Sequence, residues 1–171
     1  MSQTADALAL LKADHDTVGE LFAKYEALGD RAMVGKHDLV QQISTELAIH
    51  AHIEEQIFYP RVREAGRKIK DEVLEGLEEH HVIKRALAEL AGMSPEHARF
   101  DAKVQVLKEN VEHHVKEEES EMFPRVRKAL SAGELTELGA TLEAAKATAP
   151  TKADPAAPDE PSSLKPGAAR A

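Results

Sequence analysis

Four stretches of this 171-residue chain repeat apolar residues three and four apart, and in each a histidine stands on the apolar stripe. That spacing puts side chains on one face of an α-helix, the face a folded protein buries. Leu8, Leu11, His15, Val18, Phe22 and Tyr25 mark a first helix, predicted over about 5–28. Ile43, Leu47, His50, Glu54 and Ile57 mark a second, from about 36 to the breaker Gly66. Leu77, His80, Ile83, Leu87 and Leu90 mark a third over about 69–92. A fourth carries Val104, Leu107, Val111, His114 and Glu118, and "SPEH" at 94–97 suggests its start, with Ser94 as cap and Pro95 as first helical residue. Ser131 and Glu134 suggest a capping box for a short fifth helix through Leu135, Leu138 and Leu142. The expectation is an all-α chain: an up-and-down antiparallel four-helix bundle with a short fifth helix.

The second and fourth stripes share a phrase. "HAHIEEQIFYPRVR" at 50–63 and "HHVKEEESEMFPRVR" at 113–127 align His50 with His114, Glu54 with Glu118, Glu55 with Glu119 and Pro60 with Pro124, all 64 residues apart. His15 and His80 align at an offset of 65. Residues i and i+4 of a helix lie one turn apart on the same face, so each imidazole–carboxylate pair converges on one point. A carboxylate in a bundle core is costly unless neutralised, and a divalent or trivalent metal ion accepts both donor types. Each half thus offers a histidine and a His-x-x-x-Glu. Two half-sites around a pseudo-twofold would hold two metals, with Glu54 and Glu118 able to bridge them.

Composition narrows the alternatives. There is no cysteine, so thiolate sites and iron–sulfur clusters are excluded. The net charge of −9 argues against a nucleic-acid partner. No apolar run approaches membrane-spanning length and the first residues do not read as a signal peptide, so the expected compartment is the cytoplasm, without membrane contact. Residues 1–146 read as one domain, and 147–171, with five of the eight prolines, as a disordered tail.

"DHDTV" at 14–18, "HAHIEEQIFYP" at 50–60, "EHH" at 79–81 and "HHVKEEESEMFP" at 113–124 resemble the hemerythrin-like HHE cation-binding domain family over about 8–146. The resemblance implies a non-haem diiron centre, with His15, His50 and Glu54 serving one iron and His80, His114 and Glu118 the other. Two features depart from the oxygen carriers of that family. Their fifth histidine, one turn before the third-helix ligand, is Gly76 here, and their fourth-helix carboxylate is an aspartate at i+5 rather than a glutamate at i+4. Counting donors gives each iron two nitrogens and two bridging oxygens, or five ligands with a bridging oxo or hydroxo, which leaves a position open on both. The expected function is therefore reaction with dioxygen, peroxide or nitric oxide, including peroxide detoxification, rather than reversible oxygen carriage. A sensor or iron-binding module without turnover is the alternative, and a bundle with adventitious zinc a third reading. Ferritin-like diiron proteins need two Glu-x-x-His spacings, and this chain has one, Glu78 to His81.

Other residues near the pattern carry weaker expectations. His52 and His113 lie off the stripe and are predicted to face solvent, whereas His81 competes with His80, which the phase of Leu77, Ile83 and Leu87 favours. Glu55 and Glu119 are either partners behind the ligands or surface acids, and with His81 and Tyr25 they are the candidates for an extra ligand. Pro60 and Pro124 are expected to kink or end their helices. Arg61, Arg63, Arg125 and Arg127 are expected to be ion-paired in solvent rather than to form an anion site.

Overall fold

The computed structural model describes residues 6–161, and every regular element in that span is helical. In chain order these are α1 (Ala7–Glu26), α2 (Met33–Ile53), a π-helical turn (Glu54–Phe58), α3 (Tyr59–Val62), a 3-10 turn (Arg63–Ala65), α4 (Arg67–Ala91), α5 (Phe100–Glu117), a second π-helical turn (Glu118–Met122), α6 (Phe123–Ala129) and α7 (Ala132–Lys146). Asp6 caps α1 by accepting from the Ala9 amide, and α7 opens on the expected capping box of Ser131 and Glu134. The start of α5 differs from expectation. The Ser94 hydroxyl accepts from Glu96 in a local turn, and the helix begins only at Phe100, whose ring is buried.

The apolar side chains form two clusters. The first takes Leu8 and Leu11 from the start of α1, Ile53 from the end of α2, Ile69, Val73 and Leu77 from the start of α4, and Met122, Phe123 and Val126 from beyond α5. The second takes Val18, Phe22 and Tyr25 from the end of α1, Val40, Ile43 and Leu47 from α2, Ile83, Leu87 and Leu90 from the end of α4, and Val104, Leu107 and Val111 from α5. Each long helix thus passes from one cluster to the other, and the next passes back. His15, His50, His80 and His114 fall at the crossing point of all four. Helix α7 lays Leu135, Leu138 and Leu142 into the first cluster and covers that end.

Neither proline ends its helix. Pro60 and Pro124 each sit second in the helix after a π turn, and each turn begins at the glutamate four residues past the histidine. Proline removes one backbone donor and its ring crowds the carbonyl four residues back. The wider i→i+5 turn accommodates that loss, so α3 and α6 continue the rods. More residues per turn also narrow the angle between neighbouring side chains, which lets Glu54 and Glu55 both be buried.

The segment after α7 departs from the expected disorder as far as Pro161. Ala149 is buried, Ala153 packs on the second cluster, Gln56 donates to the Pro158 carbonyl at 3.1 Å, Arg63 pairs with Glu160, and His81 lies 3.1 Å from Asp159. Alanine and proline bury little each, but short side chains lie flat, and three polar side chains of the bundle, Gln56, Arg63 and His81, reach up to hold the segment. The rest of the expected tail, 162–171, lies outside the described residues.

Candidate metal centre

The six residues singled out by spacing meet in one place. His15 of α1, His50 of α2, His80 of α4, His114 of α5, Glu54 and Glu118 are each at most 7% exposed. The imidazoles group in pairs: ring centroids are 4.9 Å apart for His15 and His50, and 4.7 Å for His80 and His114. The carboxylates lie between the pairs. Glu54 Oε2 is 3.2 Å from His50 Nε2, 3.3 Å from His80 Nε2 and 3.9 Å from His114 Nε2. Glu118 Oε2 is 3.1 Å from His15 Nε2 and 3.5 Å from His114 Nε2.

These close approaches are not hydrogen-bonded. His15 Nε2, His50 Nε2, both oxygens of Glu54 and Glu118 Oε2 are buried without a hydrogen-bond partner. Buried polar atoms are almost always satisfied, so five at one point mark a missing electrophile. His80 Nε2 and His114 Nε2 face each other at 3.2 Å. If both Nδ1 atoms carry their protons, these are two lone pairs in contact. The donor set of four imidazoles and two carboxylates fits divalent or trivalent metal ions.

The Nδ1 protons are held there by a second ring of carboxylates. His15 Nδ1 is 2.9 Å from Glu119, His50 Nδ1 is 3.5 Å from Asp14, His80 Nδ1 is 3.0 Å from Glu55, and His114 Nδ1 is 2.6 Å from Glu79. A carboxylate on Nδ1 fixes the tautomer and leaves the Nε2 lone pair free for a metal. The four pairs form a closed circuit. Asp14 of α1 serves α2, Glu55 after α2 serves α4, Glu79 of α4 serves α5, and Glu119 after α5 serves α1. Three of these acids are held by lysines: Asp14 by Lys146, Glu55 by Lys84 at 2.8 Å, and Glu119 by Lys12 at 3.1 Å. Spacing raised this role for Glu55 and Glu119 but missed Asp14 and Glu79. The signal was adjacency: each outer acid directly neighbours an inner residue in the chain (Asp14–His15, Glu54–Glu55, Glu79–His80, Glu118–Glu119).

Electrostatics follow from the crowding. Burial alone would depress His50, but Glu54, Asp14 and Glu118 outweigh it and raise its pKa to about 10. His114 is likewise raised against burial, chiefly by Glu118 and Glu54. Glu54 is held well below the ordinary carboxylate range, since His50, His114 and His80 overcome its burial.

Tyr25 does not reach this centre. It bonds Asp101 at 2.5 Å, beside the buried Lys36, at the far end of the second cluster. The tyrosine at the centre is Tyr59, which sequence reasoning missed: its hydroxyl donates to Glu118 Oε1 at 2.7 Å, and its ring stacks on His80. Burial, then Glu118, Glu54 and Glu79, push its pKa well up, so it stays a donor. Tyr59 also accounts for Gly76, because a Cβ there would meet the phenol oxygen at 2.8 Å. The phenol stands beside the place where the fifth histidine of the oxygen carriers is expected.

His81 is partly exposed against Asp159, and His113 is 63% exposed at its side chain. His52 is half-buried rather than solvent-facing, because the segment after α7 covers it. All four arginines of the repeated phrase are ion-paired: Arg61 with Glu134, Arg63 with Glu160, Arg125 with Glu72 and Glu121, and Arg127 with Asp6.

Two openings flank the centre, and His114 borders both. One is a small cavity of about 20 Å³ walled by Val18, Leu47, Ala51, Ile83, Val111 and Val115. The other is a cavity of about 70 Å³ between α4 and the end of α5, lined mostly by carboxylates. No helix among the described residues is long and apolar enough to cross a membrane.

Comparison with known proteins agrees with this geometry. The family model of the hemerythrin HHE cation binding domain matches residues 6–126. The chain is 30% identical over 137 residues to a DNA nickase of Nostoc sp., covering 80% of this chain and 38% of the nickase. It is 30% identical over 121 residues to an uncharacterized hemerythrin-like protein of Schizosaccharomyces pombe, covering 70% of this chain and 60% of that protein. It therefore spans less than two thirds of either relative. Among solved structures, a hemerythrin HHE cation binding domain-containing protein, the Rv2633c homolog from Mycobacterium kansasii, superposes with a TM-score of 0.72 at 25% identity, covering 84% of this chain and 86% of that one. The chain belongs to the hemerythrin HHE cation-binding domain family.

Proposed function

We propose that this chain is a cytoplasmic non-haem diiron protein that binds and reacts with dioxygen, peroxide or nitric oxide. His15, His50, His80, His114, Glu54 and Glu118 would hold the irons, the four imidazoles supplying neutral nitrogen donors and the two carboxylates the anionic oxygens. The observation that carries the reading is the set of five partnerless buried atoms at the centre. The alternation of the long helices between two apolar clusters supports an up-and-down four-helix bundle around it. Bound there, the irons supply electron exchange with the small oxidant and Lewis acidity toward it.

The protein's own groups do the rest. The Asp14, Glu55, Glu79 and Glu119 carboxylates hold each imidazole in the metal-binding tautomer. Tyr59 donates to Glu118 and fixes its rotamer. The cavity of about 20 Å³ has room for one water-sized molecule, and its valine, leucine and isoleucine walls exclude bulk water. The nickase activity named for the Nostoc relative belongs to a much longer protein. With a net charge of −9 and the phrase arginines ion-paired, we assign no nucleic-acid partner to this chain.

The test exposes the anaerobically reconstituted ferrous protein to dioxygen, then removes it, and separately assays peroxide consumption. The reading predicts a spectrum that does not revert and peroxide turnover that His80→Ala abolishes. A spectrum that reverts fully, without peroxide turnover, would return the chain to the carrier or sensor class.

A further inference from the structure

The carboxylate-lined cavity between α4 and the end of α5 plays no part in the reaction just described. Glu72, Glu75, Glu79, Glu117 and Glu121 surround it, and Arg125, bound to Glu72 and Glu121, is the cation paired within the group. Such an excess of one charge in a cleft concentrates ions of the opposite sign. Its floor is formed by His114 and Glu118, which are 3% and 2% exposed. Glu118 Oε2 has no hydrogen-bond partner and lies 3.5 Å from His114 Nε2. Gly76 lines the same cavity, with the Tyr59 phenol standing against it.

Two of the lining carboxylates, Glu79 and Glu117, and the exposed His113 beside them offer one ligand atom each within 4.8 Å of one another. His113 Nε2 is 3.2 Å from Glu117 Oε1 and 3.5 Å from Glu79 Oε1. The other oxygen of Glu79 holds His114 Nδ1 at 2.6 Å. One carboxylate therefore touches both the exposed trio and a buried imidazole of the centre.

We propose that this cavity is the route by which ferrous ion enters the protein, with Glu79, His113 and Glu117 as its first binding station. The inference rests on the diiron reading. The ion exchanges part of its water shell for the rim donors, then moves inward along Glu79 to reach His114 and Glu118. The rim trio has only three donors and stays open to water, so it holds the ion weakly enough to release it inward. Entry through the opposite cavity would demand stripping the ion of water against an apolar wall.

The experiment follows anaerobic Fe²⁺ uptake by the metal-free full-length chain in stopped flow, at several salt concentrations. Glu75→Gln/Glu117→Gln and His113→Asn are compared with Glu78→Gln, which is exposed outside this cavity. Glu75, Glu78 and Glu117 touch no histidine or carboxylate of the centre, and His113 touches only Glu79, on the oxygen that does not hold His114, so thermal unfolding should match the parent and final iron content should stay the same. The expected result is uptake slowed roughly tenfold or more in the first two variants, with a weaker salt dependence, and no change in Glu78→Gln. Unchanged rates in the rim variants, with normal loading of the parent, would overturn the route alone. A parent chain that takes up no iron would instead remove the diiron reading beneath it.

Discussion

Glu55→Gln separates two roles that one carboxylate plays. Glu55 is 4% exposed, accepts from His80 Nδ1 at 3.0 Å, and pairs with Lys84 at 2.8 Å. Lys84 is itself 5% exposed, and Glu55 is its partner among the described residues. Gln keeps the shape and an acceptor oxygen but removes the charge. Breaking a buried pair from one side leaves the other ion uncompensated, at about 3–5 kcal/mol. For a chain of this length that is a fall in Tm of roughly 6–20 °C. Loss of the carboxylate behind His80 should weaken iron binding about 10–100-fold. Adding Lys84→Met removes the stranded ammonium, so the double variant should regain most of the stability and none of the iron affinity. Thermal unfolding of the metal-free proteins and competition with a ferrous chelator measure the two effects separately. A single variant as stable as the parent, or a double variant that regains affinity along with stability, would refute the division of roles.

Other outcomes follow from the same geometry. His80→Ala should abolish binding of one iron while His81→Ala leaves loading intact, as metal analysis of each will show; the reverse result would mean the third-helix assignment is wrong. In the metal-free protein Glu54, Asp14 and Glu118 outweigh burial and push the pKa of His50 up to about 10, above the ordinary 6.5. A raised folded pKa gives stability that is complete below about 6.5 and lost as pH climbs toward 10. Metal-free protein should thus melt lower at pH 9.5 than at pH 7, and iron loading should remove that contribution. A chain ending at Ala147 loses the contacts to Gln56, Arg63 and His81, so calorimetry should find it folded and iron-binding but destabilised by about 1–2 kcal/mol.

The convergence of the six inward residues was legible in the sequence because helical phase is a strong constraint. A histidine at the crossing of two apolar runs, four times over, has nowhere to point but inward. Phase also separated His80 from His81, and the i+4 spacing placed Glu54 and Glu118. Tyr59 was not legible, because it lies beyond a π turn that shifts the register by about a residue, so α-helical counting points it elsewhere. Tyr25, in phase on α1, is more than two turns from His15, and phase does not report depth along the axis. Asp14 and Glu79 serve histidines on other helices, a relation that spacing within one helix cannot express. The start of α5 was misplaced because Ser94 satisfies a local turn as readily as a cap. The packed stretch to Pro161 was missed because composition measures how much a segment can bury, not whether the bundle offers it partners.

The most direct measurement is iron content per chain after anaerobic ferrous reconstitution and removal of loosely bound metal. Paired imidazoles on either side of two carboxylates predict two irons per chain, falling to one or fewer in His50→Ala. One iron per chain in the parent protein, or two that survive His50→Ala, would contradict the account at its centre.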